Sequence, residues 1–326
     1  MRVFLTHNPE DRRAYYGRAL PELERRAEVV LNPLGRDLTT PELIDHAHGC
    51  EVIVAHRSTP GDADVFTALP DLVAFVRCAV DITTIDVAAA SHAGVLVGHA
   101  DKSFVASTAE LALGLFLDVA RNIASSTADY RGGAEPPQRP GRQIRGQTAG
   151  IIGHGAIGSY LAELLAALGL EVLVADPRVT SRFEDVGLDD LLRRSDVVFP
   201  LAPGGPATTG LIGRGQLALL QRGAVLVNVA RGELLDEQAV ADALDSGQLA
   251  GVGLDVGQAP DQRPSPLLAA RADVVATPHL GGLTPENADA QARSSVEQVT
   301  AMIAGEMPPR TVNADSGSRL RAWRAR

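Results

Sequence analysis

The sequence predicts an α/β protein of two parallel-sheet units. Three observations carry this. Short apolar runs alternate with helical patterns along nearly the whole chain, as strand–helix–strand units with parallel pairing do. The 326 residues suffice for two domains of ordinary size. The stretch 148–176 runs in the order strand, glycine turn, helix, strand, acid.

Taken in order, residues 1–100 read as a first unit. Arg2 to Thr6, Glu28 to Leu31, Glu51 to Ala55, Leu72 to Arg77 and Val95 to Gly98 are apolar enough for strands. Helical patterns lie between them at Ala19 to Arg26, from Thr40-Pro41-Glu42 onward, at Asp62 to Ala68 and at Asp86 to Ala93. Thr40 is the expected cap of the second helix, with proline at its first position. This unit has no glycine-rich phosphate loop. Ser103 to Asn122 is apolar and alanine-rich and reads as one long helix. The Gly, Pro and Arg of 131–147 read as a surface connection.

The second unit, 101–284, centres on Gly153-His154-Gly155-Ala156-Ile157-Gly158. Before it, Ala149 to Ile152 is a buried strand. After it, Ile157, Leu161, Leu164, Leu165 and Leu168 share one helix face. The first glycine permits a tight turn. The second lets a pyrophosphate approach the backbone, and the third lets helix and strand pack closely. The helix N-terminus offers N–H groups and a positive dipole end to phosphates. Asp176 closes the next strand, 18 residues after Gly158. A carboxylate there accepts from both ribose hydroxyls of NAD and repels a 2′-phosphate. Further alternations through Val197–Pro200, Ala224–Asn228, Val252–Asp255 and Val274–Thr277 supply the second half of a doubly wound sheet. A helix from Pro285 to Ile303 returns the chain to the first unit, which is therefore discontinuous, 1–100 with 285–326. The tail from Ser316 carries Arg319, Arg321, Arg324 and Arg326. It reads either as a basic tail that meets anions or as a frayed terminus.

Composition narrows the function classes. Hydrophobic content is 45%, charged content 21% and net charge −10. That sign argues against nucleic acid or an anionic membrane as the main partner, while a small anionic substrate needs only local positive charge. Cys50 and Cys78 stand in no CxxC or zinc pattern, so a reducing, cytoplasmic setting is expected. The N-terminus is a short strand followed by charge, not a signal peptide, and no apolar stretch reaches membrane-spanning length. No metal site is read: His46 and His48 bring too few ligands.

Several motifs occur together and in order: Ser107-Thr108-Ala109-Glu110, the glycine loop, Asn228-Val229-Ala230-Arg231-Gly232-Glu233 with Asp236-Glu237, Gly253-Leu254-Asp255-Val256 and Thr277-Pro278-His279-Leu280-Gly281-Gly282. With these motifs the chain resembles the D-isomer-specific 2-hydroxyacid dehydrogenases. The resemblance implies a Rossmann-type nucleotide-binding domain beside a smaller flavodoxin-like substrate domain, NAD as cofactor, a small 2-hydroxy acid as substrate and a homodimer. It implies that the glycine loop, Asp176-Pro177-Arg178, Ala202, Pro203 and Thr208 hold the cofactor. Val229, Ala230, Asp255, His279 and Gly281 join them, with Asp255 near the nicotinamide carboxamide. Arg231, past a strand end, would grip the substrate carboxylate and polarise the adjacent carbonyl. His279 would exchange the proton.

Two departures from the family pattern matter. The family places a glutamate beside the histidine, at the position of Pro260 here or, with a one-residue gap, of Ala259, and neither can act. Asp261 is the nearest carboxylate and is the candidate replacement, the alternative being a histidine with no acid partner. The family also has a glycine-rich turn where this chain reads Arg77-Cys78-Ala79-Val80-Asp81. The N–H groups of Ala79 and Val80 remain candidates for the substrate carboxylate, and Arg77 for a second anionic group or a mere strand-end charge. Asp81 would repel an anion if turned inward. Two alternatives stay open: a dehydrogenase of an oxyanion such as formate, phosphite or a phosphonate, and a dinucleotide-sensing, corepressor-like binding protein.

Overall fold

A computed structural model describes residues 1–325. Arg326 of the basic tail lies outside the described residues. The chain divides into two units, Met1–Ser103 with the segment from Pro285 onward, and Phe104–Thr284.

The first unit is built on five parallel strands: β1 (Arg2–Leu5), β2 (Glu28–Leu31), β3 (Val52–Ala55), β4 (Ala74–Arg77) and β5 (Leu96–Gly98). Their order is β2-β1-β3-β4-β5. Alternate side chains serve two cores, as the period of a strand requires. Val3, Leu5, Val52, Val54, Ala74 and Val76 point to one face, where the helix Pro285–Ile303 covers them with Ala292, Val296, Val299 and Met302. Phe4, Ile53, Ala55 and Phe75 point to the other, against Leu43, Val65 and Phe66. A parallel sheet buried on both faces needs both layers. Thr39 rather than Thr40 caps the helix Thr40–His46, its backbone N–H donating to Glu42.

The described part of the tail, to residue 325, is not frayed. It forms a helix, Ser318–Arg324, with Leu320 buried in the core. Arg319 donates to the carbonyls of Phe66, Leu69 and Leu72. Phe66 and Leu69 lie at the end of the helix Ala63–Ala68 and Leu72 just beyond it, where carbonyls without a helical partner make a guanidinium a natural ligand.

The second unit has seven parallel strands: β6 (Thr148–Ile152), β7 (Glu171–Ala175), β8 (Glu184–Asp185), β9 (Val197–Pro200), β10 (Ala224–Asn228), β11 (Leu249–Leu254) and β12 (Val274–Ala276). The order is β12-β11-β10-β9-β6-β7-β8. Counted from the first strand of this unit, that is the doubly wound 3-2-1-4-5-6 arrangement with a seventh strand added. The helix Ala156–Ala167 packs Leu161, Ala162 and Leu165 onto Ile151 and Val174. Leu168, expected on that face, is instead exposed at the helix end. The expected long helix is two. Val105–Arg121 buries Ala109, Ala112, Leu115 and Phe116, the last edge-on to Phe199 at 5.8 Å. Asn122 then takes a left-handed conformation, φ 56°, and starts a second helix, Ile123–Arg131, that buries none of its residues. Asparagine tolerates that conformation better than most residues.

Candidate functional site

Strand register sets the site. Ile152 pairs with Ala175 on one side and with Pro200 on the other. Asn228 pairs with Leu254, and Leu254 with Ala276. The residues that follow these strands therefore share the carboxyl edge of one sheet. Gly153, Asp176, Ala202, Arg231 and His279 all come from that edge, where open parallel sheets bind ligands.

The glycine loop lies at the switch between β6 and β9. Gly153, φ 97°, sits so close to Leu201 and Ala202 that an added Cβ would lie 2.8 Å from the Ala202 nitrogen. At Gly158 an added Cβ would lie 2.2 Å from the Gly153 carbonyl, so this glycine lets the helix seat on the loop. Gly155 caps the helix, and a Cβ there would meet nothing within 4 Å. Its smallness answers no neighbour in the protein; it leaves room for a ligand.

Asp176 accepts from the backbone N–H of His154 at 2.7 Å, of Arg178 at 2.8 Å and of Val179 at 3.2 Å. Burial alone would raise its pKa, but those amides together hold it below the ordinary carboxylate value. The His154 ring turns inward against Phe183, while Pro177 and Arg178 are exposed. Thr208 donates to the Pro203 carbonyl at 2.6 Å and so closes the loop that follows β9. The donor set and the open space over Gly155 fit a dinucleotide.

The turn after β10 is made by Asn228, which is fully buried. Its side chain accepts from Ala230 N–H at 3.0 Å and donates to the Arg231 carbonyl at 2.8 Å. That leaves the Arg231 side chain exposed, with one N–H on the Ala230 carbonyl. Gly232 packs on Gly257, where an added Cβ would lie 2.1 Å from the Gly257 carbonyl.

Asp255 follows β11 and is held by the turn that carries His279. Its carboxylate is fully buried and accepts from Thr277 Oγ1 at 2.7 Å, Leu280 N–H at 2.6 Å and Gly281 N–H at 2.8 Å. Its own carbonyl accepts from His279 N–H at 2.9 Å. A buried carboxylate with three donors anchors the 277–281 turn. That turn holds His279 at φ 61°, a left-handed conformation rare for a side-chain-bearing residue.

Asp261 requires correction. His279 Nδ1 lies 2.9 Å from the Asp261 backbone carbonyl. The Asp261 carboxylate is exposed and, among the described residues, reaches only Arg263, at 4.0 Å. The contact that Asp261 makes with the histidine is through its main chain, not its carboxylate. The sequence could not reveal this, because φ 60° at Asp261 is set by the surrounding loop.

In the first unit Arg77 is wholly buried and so is not presented to a ligand. Its guanidinium donates to the carbonyls of His56 and Thr59 and to Thr84 Oγ1. Burial lowers its pKa to about 10, against the raising influence of Cys78 and Asp81. Ala79 and Val80 are half-buried, and Asp81 accepts from Thr83 N–H within its own turn. Two histidines stand at the carboxyl edge of this sheet. His7 follows β1 and His56 follows β3, the strands flanking this sheet's own switch point, and their rings lie 5.0 Å apart. Asp11, Asp37 and His56 bring ligand atoms within 4.8 Å of one another. Asn8 and Ser58 already hydrogen-bond both carboxylates. Both cysteines are free thiols, and among the described residues no helix is long and apolar enough to cross a membrane.

Residues 113–281 match the family described as D-isomer specific 2-hydroxyacid dehydrogenase, NAD binding domain. The chain is 39% identical over 274 residues to a D-3-phosphoglycerate dehydrogenase of Mycobacterium leprae, covering 82% of this chain and 52% of that one. It is 31% identical over 329 residues to a glyoxylate reductase of Korarchaeum cryptofilum, covering 96% of each. Among solved structures, D-2-hydroxyisocaproate dehydrogenase superposes with a TM-score of 0.86 at 25% identity, over 96% of this chain and 100% of that one. The chain thus spans about half the length of the phosphoglycerate dehydrogenases it matches.

Proposed function

The chain belongs to the D-isomer specific 2-hydroxyacid dehydrogenase family and carries its NAD-binding domain, and from that premise we propose that it interconverts a small 2-hydroxy acid and its 2-oxo acid. NAD, when bound, supplies the hydride acceptor and donor; the protein supplies orientation and electrostatics. The helix N-terminus at Gly155 faces the pyrophosphate, and Asp176 takes the ribose hydroxyls. Arg231 grips the substrate carboxylate with its planar fork and polarises the neighbouring carbonyl. His279 holds its Nδ1 proton against Asp261 and uses Nε2 to give a proton to the developing alkoxide or take one from the alcohol. In the first unit, the N–H groups of Ala79 and Val80, in the turn after that unit's own β4, are the donors proposed for a carboxylate. The first unit is then the substrate domain and the second the cofactor domain.

The observation that carries this reading is the edge itself. One register brings the glycine loop, Asp176, Arg231 and His279 to the carboxyl ends of a single sheet. Steady-state oxidation of NADH against a panel of 2-oxo acids, with formate and phosphite tested in the oxidative direction, decides it. Turnover with at least one 2-oxo acid is expected. Turnover only with an oxyanion moves the substrate class, and none at all contradicts an enzyme. The protein is further proposed to be cytoplasmic and to work as a homodimer, the half-bare helix Ile123–Arg131 with exposed Ile123 and Tyr130 being the surface to be covered.

A further inference from the structure

The histidine loop contains a second device that the family pattern does not describe. A carbonyl oxygen only accepts, so the His279 Nδ1 that lies 2.9 Å from the Asp261 carbonyl must carry the proton. We propose that this main-chain carbonyl replaces a side-chain carboxylate as the partner that fixes the His279 tautomer, and that Glu237 is the positioning residue that keeps the carbonyl in place.

The geometry is that of a clamped loop. Asp261 and Gln262 both lie in the left-handed region, at φ 60° and 56°. Two successive side-chain-bearing residues in that region are strained and persist only where the surroundings over-determine them. Here the two arms of the loop are tied together, Gly257 N–H to the Gln262 carbonyl at 2.8 Å and Ala259 N–H to the Arg263 carbonyl at 3.0 Å. Glu237 then pins both arms at once. It accepts from Gln258 N–H at 3.0 Å and from Ser265 Oγ at 2.5 Å. The Gln258 side chain adds a bond to the Leu235 carbonyl at 3.0 Å. With Gly232 packed on Gly257, the segment that carries Arg231 and the loop that orients His279 share one base.

The consequence is specific. A neutral acceptor selects the tautomer as a carboxylate does, and no side-chain substitution at position 261 removes it. What moves the carbonyl is a change in backbone conformation. Proline at 262 forbids φ 56° there and drives residue 261 toward extended conformations. Loss of Glu237 releases both arms from the helix that starts at that residue, leaving only the ties between them.

The extension to turnover rests on the proposed role of His279; the tautomer itself does not. The test is long-range ¹H–¹⁵N NMR of protein labelled in histidine nitrogen, with His279→Gln assigning the signal. The wild type should show the Nδ1–H form, and Asp261→Asn and Asp261→Gly should keep it. Gln262→Pro and Glu237→Ala should convert it partly to Nε2–H, with Glu237→Gln restoring the wild-type signal. With a competent 2-oxo acid, Gln262→Pro should lower kcat by about tenfold or more, the order expected when an acid–base group is misplaced. An Nε2–H signal in the wild type, or conversion by Asp261→Asn alone, overturns the proposal even if turnover depends on His279. Conversely, the expected tautomer pattern with full turnover in His279→Gln supports the loop and overturns the proton-exchange role.

Discussion

At the scale of single residues, charges are placed by what surrounds them. Asp176 is held below the usual carboxylate value by three backbone amides that outweigh its burial. It therefore stays anionic through the neutral range, and a 2′-phosphate meets a fixed negative charge. NAD(H) should be preferred over NADP(H) by more than about tenfold in kcat/KM, or ~1.4 kcal/mol, with no change in preference between pH 6 and 9. Comparable efficiency with both cofactors would sink this expectation. His7 is the opposite case. Burial first, then His56, Arg12 and Arg77, push its pKa well below the ordinary histidine value. The unfolded chain takes up a proton near pH 6.5 that the folded chain refuses, so the folded state loses stability as pH falls below 6.5 and loses nothing above it. His7→Gln should abolish that part of the slope. The wild-type minus variant stability should drop by roughly 1 kcal/mol between pH 7.5 and 5.5, read by urea titration. A pH-independent difference counts against a buried neutral His7.

At the scale of elements, close approaches decide which glycines matter. Gly155 faces open space, whereas Gly158 faces a carbonyl 2.2 Å from where its Cβ would lie. Gly155→Ala should leave the melting temperature nearly unchanged and weaken NAD binding by about tenfold, since its methyl intrudes only on a ligand. Gly158→Ala should lower both, because the helix must lift from the loop. Equal loss of stability in the two variants would contradict this division. Much of this level was legible in the sequence. The glycine turn, the strand ending at Asp176 and the positions of Arg231 and His279 follow from local pattern and order. What was not legible rests on distant partners. Arg77 reads as a strand-end charge until His56, Thr59 and Thr84 surround it. That Asp255 also anchors the 277–281 turn appears only once that turn folds back on it. Glu237 reads as an acid at a helix start, yet its partners lie 21 and 28 residues away. Hydrophobic period carries no information about such pairings.

At the scale of the whole molecule, two parallel sheets each present a carboxyl edge with chemistry on it. The second unit's edge brings dinucleotide-binding features together with Arg231 and His279; the first unit's edge brings His7, His56 and the 77–81 turn. A working homodimer should scatter light as about twice the 34.2 kDa of one chain at micromolar concentration, and a mass of one chain would contradict it. The central claim is that one sheet edge both holds the cofactor and exchanges the substrate proton. Its most direct test is His279→Ala, read by kcat/KM for a competent 2-oxo acid alongside NADH affinity by fluorescence titration. Turnover should fall roughly 10²–10⁴-fold while NADH still binds within about threefold of wild type, a change under ~1 kcal/mol. Retained turnover, or loss of NADH binding in step with loss of activity, would contradict it.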